Sequence, residues 1–185
     1  MTAVRWPVVL LGAGATLLLS LGSLVLIGIW FEGTGTTGGT SAIGCTAPSL
    51  TGSVVRVTVA NTGPANTNGM MGAGAMSLRA DHTTVPSGTV SFLVSNVGSR
   101  THELIVLPLE GAELAGSRAL SGDSRVDEST SLGEASASCF DGAGDGILPG
   151  TSGWVTLTLA PGRYELLCNL PGHYAAGMYT QLTVS

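Results

Sequence analysis

The chain has 185 residues, 44% of them hydrophobic and only 10% charged, with a formal net charge of −5. That length gives room for one modest domain with appendages and excludes two full cores. All seven basic residues are arginines, and beyond residue 31 six of them face twelve acids, so nucleic-acid binding has no electrostatic support.

The N-terminus opens with an apolar run from Val8 to Phe31, broken only by Thr16, Ser20 and Ser23. Its length is enough to cross a bilayer as a helix. Trp6 before it, and Trp30 with Phe31 at its end, stand where interfacial aromatics are expected. Arg5 on the near side favours an N-terminus inside and the remainder outside. Residues 1–31 are therefore expected to be a membrane anchor; a cleavable signal peptide is the rival, against which the run is long and lacks a clear Ala-x-Ala site. Either way the bulk of the protein is expected to be extracytoplasmic. Residues 32–52 form a linker, and its Gly33–Gly44 portion of Gly, Thr and Ser reads as a flexible tether.

From residue 53 short runs with period-two alternation and β-branched enrichment predict strands. Val55, Val57 and Val59 share one face; Val90, Phe92 and Val94 share another. Further strands are predicted over Met76–Ala80, Glu103–Leu107, Gly153–Ala160, Arg163–Cys168 and Met178–Val184. Turn signals separate most of them, among them Val85-Pro86-Ser87-Gly88, Leu148-Pro149-Gly150 and Ala160-Pro161-Gly162. About seven strands joined by Gly/Pro turns, with no sustained helical period after the anchor, predict an all-β sandwich or barrel. Residues 109–150 interrupt the pattern with Gly, Ser, Ala and eight acids against Arg118 and Arg125, and read as a long acidic insert with at most a short helix. Such an insert is either a solvated loop without a role or a surface that steers a basic partner.

Near the C-terminus stands Cys168-Asn-Leu-Pro-Gly-His173-Tyr-Ala-Ala-Gly-Met178. One turn-rich loop thus offers a thiol, an imidazole and a thioether, the graded softness that holds a single copper once a second imidazole is supplied. Of the three histidines, His102 at the head of an apolar strand is the better candidate for that imidazole; His82, beside Asp81, reads as an exposed loop residue. Tyr164, Leu166 and Cys168 share a strand face, as do Met178, Leu182 and Val184, so both sulfurs are expected to point inward. A lone Cys or Met is usually a core hydrophobe; the joint pattern carries the copper reading.

At these motifs the chain resembles the blue copper proteins, the cupredoxins. The Cys168–Met178 loop has azurin- and auracyanin-like spacing, and with Ser99-Arg-Thr-His102-Glu-Leu-Ile-Val-Leu-Pro108 it is most similar to the sulfocyanin-like branch. The resemblance covers residues 53–185. It implies a Greek-key β-sandwich, one type 1 copper held by His102, Cys168, His173 and Met178, and an electron-carrier role rather than an enzymatic one, with transient redox partner proteins. A monomer is expected. One position departs from plastocyanin and azurin: Glu103 follows the first ligand histidine where an Asn usually fastens the copper loop. Asn96 and Asn169 are the candidate substitutes for that brace.

Two cysteines remain. In an oxidising compartment Cys45 and Cys139 most simply pair; lipid modification of Cys45 is the rival, since Ser41-Ala42-Ile43-Gly44-Cys45 loosely follows a lipoprotein box. The Met- and Gly-rich stretch Asn68–Met76 offers soft thioethers but reads as flexible hydrophobes. Copper trafficking or storage is the alternative function, and it would call for exposed, exchangeable ligands. Three histidines are too few for a multicopper oxidase, and Gly172 stands where a binuclear centre would need a second loop cysteine.

Overall fold

A computed structural model describes residues 45–62 and 75–185. The expected anchor over residues 1–31, the Gly33–Gly44 tether, and Met70 and Met71 lie outside the described residues. No helix among the described residues is long and apolar enough to cross a membrane.

Among the described residues nine strands form two sheets. They are β1 (Ser53–Thr62), β2 (Ala75–Ala80), β3 (Thr84–Val85), β4 (Gly88–Asn96), β5 (Leu104–Leu109), β6 (Gly133–Ala135), β7 (Ser152–Leu159), β8 (Gly162–Leu167) and β9 (Tyr179–Val184). The first sheet runs β2-β1-β4-β7 and the second β3-β9-β8-β5-β6. β1 pairs with β4, and β3 with β9, in parallel; the other pairings are antiparallel. All seven predicted strands are present. Two short ones were not predicted: β3 is two residues before the Pro86 turn, and β6 lies within the acidic insert, too short for a periodic signal.

The alternation builds the core. Val55, Val57 and Val59 of β1 and Val90, Phe92 and Val94 of β4 face Leu104 and Val106 of β5, Tyr164 and Leu166 of β8, and Leu182 and Val184 of β9 in one buried cluster. Burying such side chains between two sheets contributes roughly 1.5–3 kcal/mol each. Cys168 and Met178 belong to the same cluster, so both sulfurs do point inward.

The other face of the second sheet is also covered. Ile105 and Leu107 of β5, Leu167 of β8, Tyr174 and Val126 form a second buried cluster. This explains why Leu104–Leu109 reads as a continuous apolar run: a strand buried on both faces has no polar side. Val126 comes from the insert, which is not a free loop. Its β6 pairs with the edge of β5, and isolated bridges tie Ala137 to Gly146 and Asp141 to Trp154. Cys45 and Cys139 form a disulfide, their Cα atoms 5.1 Å apart, which ties the start of the described chain to the insert.

Candidate metal centre

One candidate ligand comes from the head of β5 and the other three from the loop between β8 and β9. His102 precedes β5 and is held by reciprocal bonds with Ile147: its N–H donates to the Ile147 carbonyl (3.1 Å), and the Ile147 N–H donates back (2.7 Å). Asn96 secures this pairing. Its Nδ2 donates to the carbonyls of Arg100 (2.7 Å) and Ile147 (2.8 Å), and its Oδ1 accepts from the Gly98 N–H. Cys168 lies just past β8, and its N–H donates to the Met178 carbonyl (3.0 Å). Between them the chain turns back: the N–H groups of Ala176 and Met178 both donate to the His173 carbonyl, and the His173 N–H donates to Leu170. Gly172, at φ 80°, takes the left-handed conformation that the turn before His173 requires.

These elements bring three of the four expected residues into one buried cluster. One ligand atom each from His102, Cys168 and His173 lie within 4.8 Å of one another. The Cys168 Sγ is 3.3 Å from the His173 Nδ1, and the two imidazole centroids are 5.0 Å apart. Met178 is fully buried and shares the core cluster with Cys168. His82 is exposed, its Nδ1 against the Asp81 carbonyl, and takes no part.

The tautomer of His102 follows from its neighbours. Its Nε2 lies 3.3 Å from the Asn61 Oδ1, an oxygen that can only accept, so Nε2 carries the proton and Nδ1 a free lone pair. That Nδ1 is buried and has no hydrogen-bond partner. A buried polar nitrogen without a partner is costly, and a metal ligand is the ordinary reason to keep one. Asn61 also accepts from the N–H groups of Ser99 (2.8 Å) and Arg100 (3.0 Å) and donates to the Ser99 hydroxyl. It therefore fixes the turn and the imidazole together, as groups that orient a ligand histidine do. Nothing in the local sequence around Asn61 singled it out, because its partners lie some 40 positions away.

Burial dominates the electrostatics. It holds the His102 imidazole down to about 4, helped by the neighbouring His173 and Arg100, and it also lowers His173. The Cys168 thiol is pushed up to about 12, burial outweighing the hydrogen bonds it receives from backbone N–H groups. The site thus offers two neutral imidazoles and a sulfur that becomes a thiolate only against a cation, the donor set that suits copper. Glu103 donates its N–H to the Cys168 Sγ (3.4 Å), a contact that tunes the electron density of such a sulfur.

Glu103 also supplies the brace. Its carboxylate accepts from the Asn169 N–H (3.0 Å), which fastens the strand after His102 to the residue after Cys168. Burial, and then the negative charge of Glu128, push the Glu103 carboxyl up to about 7. Asn169 in turn accepts from the Val126 N–H (2.8 Å) and donates to the Val126 carbonyl and the Glu128 carboxylate. Both candidate asparagines thus have a place: Asn96 holds the His102 strand, and Asn169 joins Glu103 to the insert.

With this geometry in view, known proteins are informative. The sulfocyanin (SoxE) domain family profile matches residues 45–185. Among solved structures, reduced auracyanin from the photosynthetic bacterium Roseiflexus castenholzii is 25% identical, with a TM-score of 0.40 over 57% of this chain and 86% of its own. Auracyanin B is 22% identical, with a TM-score of 0.46 over 75% and 93%. Reduced rusticyanin is 21% identical, with a TM-score of 0.44 over 74% and 82%. No curated protein matches the chain.

Proposed function

The chain belongs to the sulfocyanin family of blue copper proteins, and from that premise we propose that it is a membrane-tethered, extracytoplasmic carrier of single electrons. His102 Nδ1, Cys168 Sγ and His173 Nδ1 would hold one type 1 copper, with the Met178 thioether as a weaker fourth ligand, and the metal would supply a one-electron couple there. The observation that carries this reading is the buried His102–Cys168–His173 cluster, together with the unpartnered Nδ1 of His102.

The chain supplies rigidity and a dry surrounding. Asn61 and the Ile147 bridge hold His102, and the Glu103–Asn169 bond holds the start of the loop that carries Cys168 and His173. Ligands so fixed move little when the charge at the centre changes, which favours fast transfer. His173 is 8% exposed and is the ligand that reaches the surface. Around it Pro171, Ala175, Ala176 and Gly177 are exposed and uncharged, a small neutral patch suited to brief docking with redox partner proteins. The apolar run Val8–Phe31 supports the membrane tether, and the Cys45–Cys139 disulfide supports an oxidising, extracytoplasmic setting.

Repeated electrochemical reduction and reoxidation of the copper-loaded full chain tests the carrier role. A reversible one-electron wave with copper retained through many cycles is expected. Loss of copper at each reduction would replace the carrier with a trafficking protein. Carbonate washing of membranes from expressing cells tests the tether: the chain should stay with the membrane, and its release would refute the anchor.

A further inference from the structure

The acidic insert makes a second set of contacts that the copper site alone does not explain. Glu165 on β8 is fully buried, on the sheet face away from the main core. Its carboxylate accepts from the Gly116 N–H (2.6 Å), the Arg118 Nε–H (2.6 Å) and the Tyr174 hydroxyl (3.0 Å). Arg118 also donates through Nη2 to the Pro108 carbonyl (2.5 Å), and its backbone N–H donates to the Tyr174 hydroxyl (3.1 Å). Tyr174 is the residue after His173. Arg163 of β8 secures the start of the same segment by donating to the Glu113 and Gly111 carbonyls.

The same stretch of insert reaches the metal loop at two more points. The Gly172 N–H donates to the Ser124 carbonyl (3.1 Å), and Asn169 exchanges bonds with Val126 in both directions. Residues 169, 172 and 174, which flank and fill the turn between Cys168 and His173, are thus each bonded to one segment some 40–60 positions earlier. Gly116 makes the fit close: a Cβ there would lie 2.2 Å from the Tyr179 ring, which itself packs tilted against Tyr174 with ring centroids 5.2 Å apart.

A buried ion pair is weak evidence for stability, since well-packed apolar residues often serve as well. What the Arg118–Glu165 pair does supply is direction: a guanidinium and a carboxylate in fixed geometry leave the Tyr174 hydroxyl one place to sit. We propose that residues 110–128 are a clamp on the metal-binding loop, with Arg118 as its positioning residue, acting on His173 through Glu165 and Tyr174. This rests on the reading of Cys168–Met178 as the copper loop, but its mechanical part does not need the metal.

The test is amide hydrogen exchange of the metal-free full chain, wild type against Arg118→Ala, Arg118→Lys and Tyr174→Phe, followed by the reduction potential of each variant after loading with Cu(II). In Arg118→Ala and Tyr174→Phe the amides of Gly172, His173 and Met178 should exchange roughly tenfold faster or more, with those of β1 and β4 unchanged. Arg118→Lys should restore part of the protection, and the potential should move in the order of the exchange rates. If Arg118→Ala opens the whole sandwich, Tyr174→Phe decides, because it removes a single hydroxyl. Loop amides of Tyr174→Phe that exchange as in wild type, or acceleration in that variant spread evenly over both sheets, would overturn the clamp. A wild type that shows the loop protection yet takes up no Cu(II) would overturn the copper reading and leave the clamp standing.

Discussion

Removing the side chain of Asn61 separates what holds a copper ligand from what fills the core. Asn61 lies on β1, outside the metal loop, and its Oδ1 accepts from the His102 Nε2–H. Asn61→Ala removes four hydrogen bonds, of which three go to Ser99 and Arg100 at the exposed turn. Water can replace those at about 0.5 kcal/mol each. The fourth is different, because His102 is fully buried and its Nε2–H would be left without an acceptor, a cost of about 1–2 kcal/mol. The metal-free variant should therefore lose about 2.5–3.5 kcal/mol in urea unfolding. Freed of its acceptor, the imidazole can rotate and change tautomer, and Cu(II) affinity should fall 10- to 100-fold, read by competition with a chelator of known affinity. Asn61→Asp keeps the acceptor oxygen and should recover most of that loss. An Asn61→Ala protein that binds Cu(II) like wild type, or an Asn61→Asp protein as weak as the alanine variant, would refute the reasoning.

The Glu103 carboxyl is raised from 4.5 to about 7 in the fold, so its buried charge costs nothing below pH 4.5 and destabilises increasingly up to pH 7. In the metal-free protein, Glu103→Gln should gain on wild type by about 3 kcal/mol across that window. Comparing the two proteins cancels the opposite slope from His102, whose lowered value makes stability fall as pH drops from 6.5 toward 4; a constant difference would sink the assignment. Met178→Gln should shift the reduction potential while keeping the colour, and a colourless variant would contradict a weak-ligand role for Met178. The Cys45–Cys139 bridge spans 94 positions, so Cys139→Ser should cost about 2–4 kcal/mol in denaturant unfolding, and an unchanged midpoint would deny the bridge a stabilising role.

Much of this architecture was legible before folding. Alternating Val55-Val57-Val59 and Val90-Phe92-Val94 carry their burial in their spacing, and Cys168, His173 and Met178 announce a metal loop by residue type and separation alone. Less legible was everything that depends on partners far along the chain. Glu103 reads as a departure from the expected Asn, yet its longer side chain reaches the Asn169 N–H and does the fastening itself. Asn61 looks like the end of a strand, and only the sheet brings it to His102. The insert misleads most: its acids and glycines suggest a solvated loop, while Val126, Arg118 and Gly116 pack it onto β5, β8 and Tyr174. Single contacts of that kind leave no periodic trace.

The central claim is a single copper held by the Cys168 sulfur and two imidazoles. Cu(II) added to the purified full chain, followed by visible absorption and electron paramagnetic resonance, tests it most directly. One copper per chain is predicted, with an intense visible band that Cys168→Ser abolishes. A protein that stays colourless with Cu(II), or a band that survives Cys168→Ser, would contradict it.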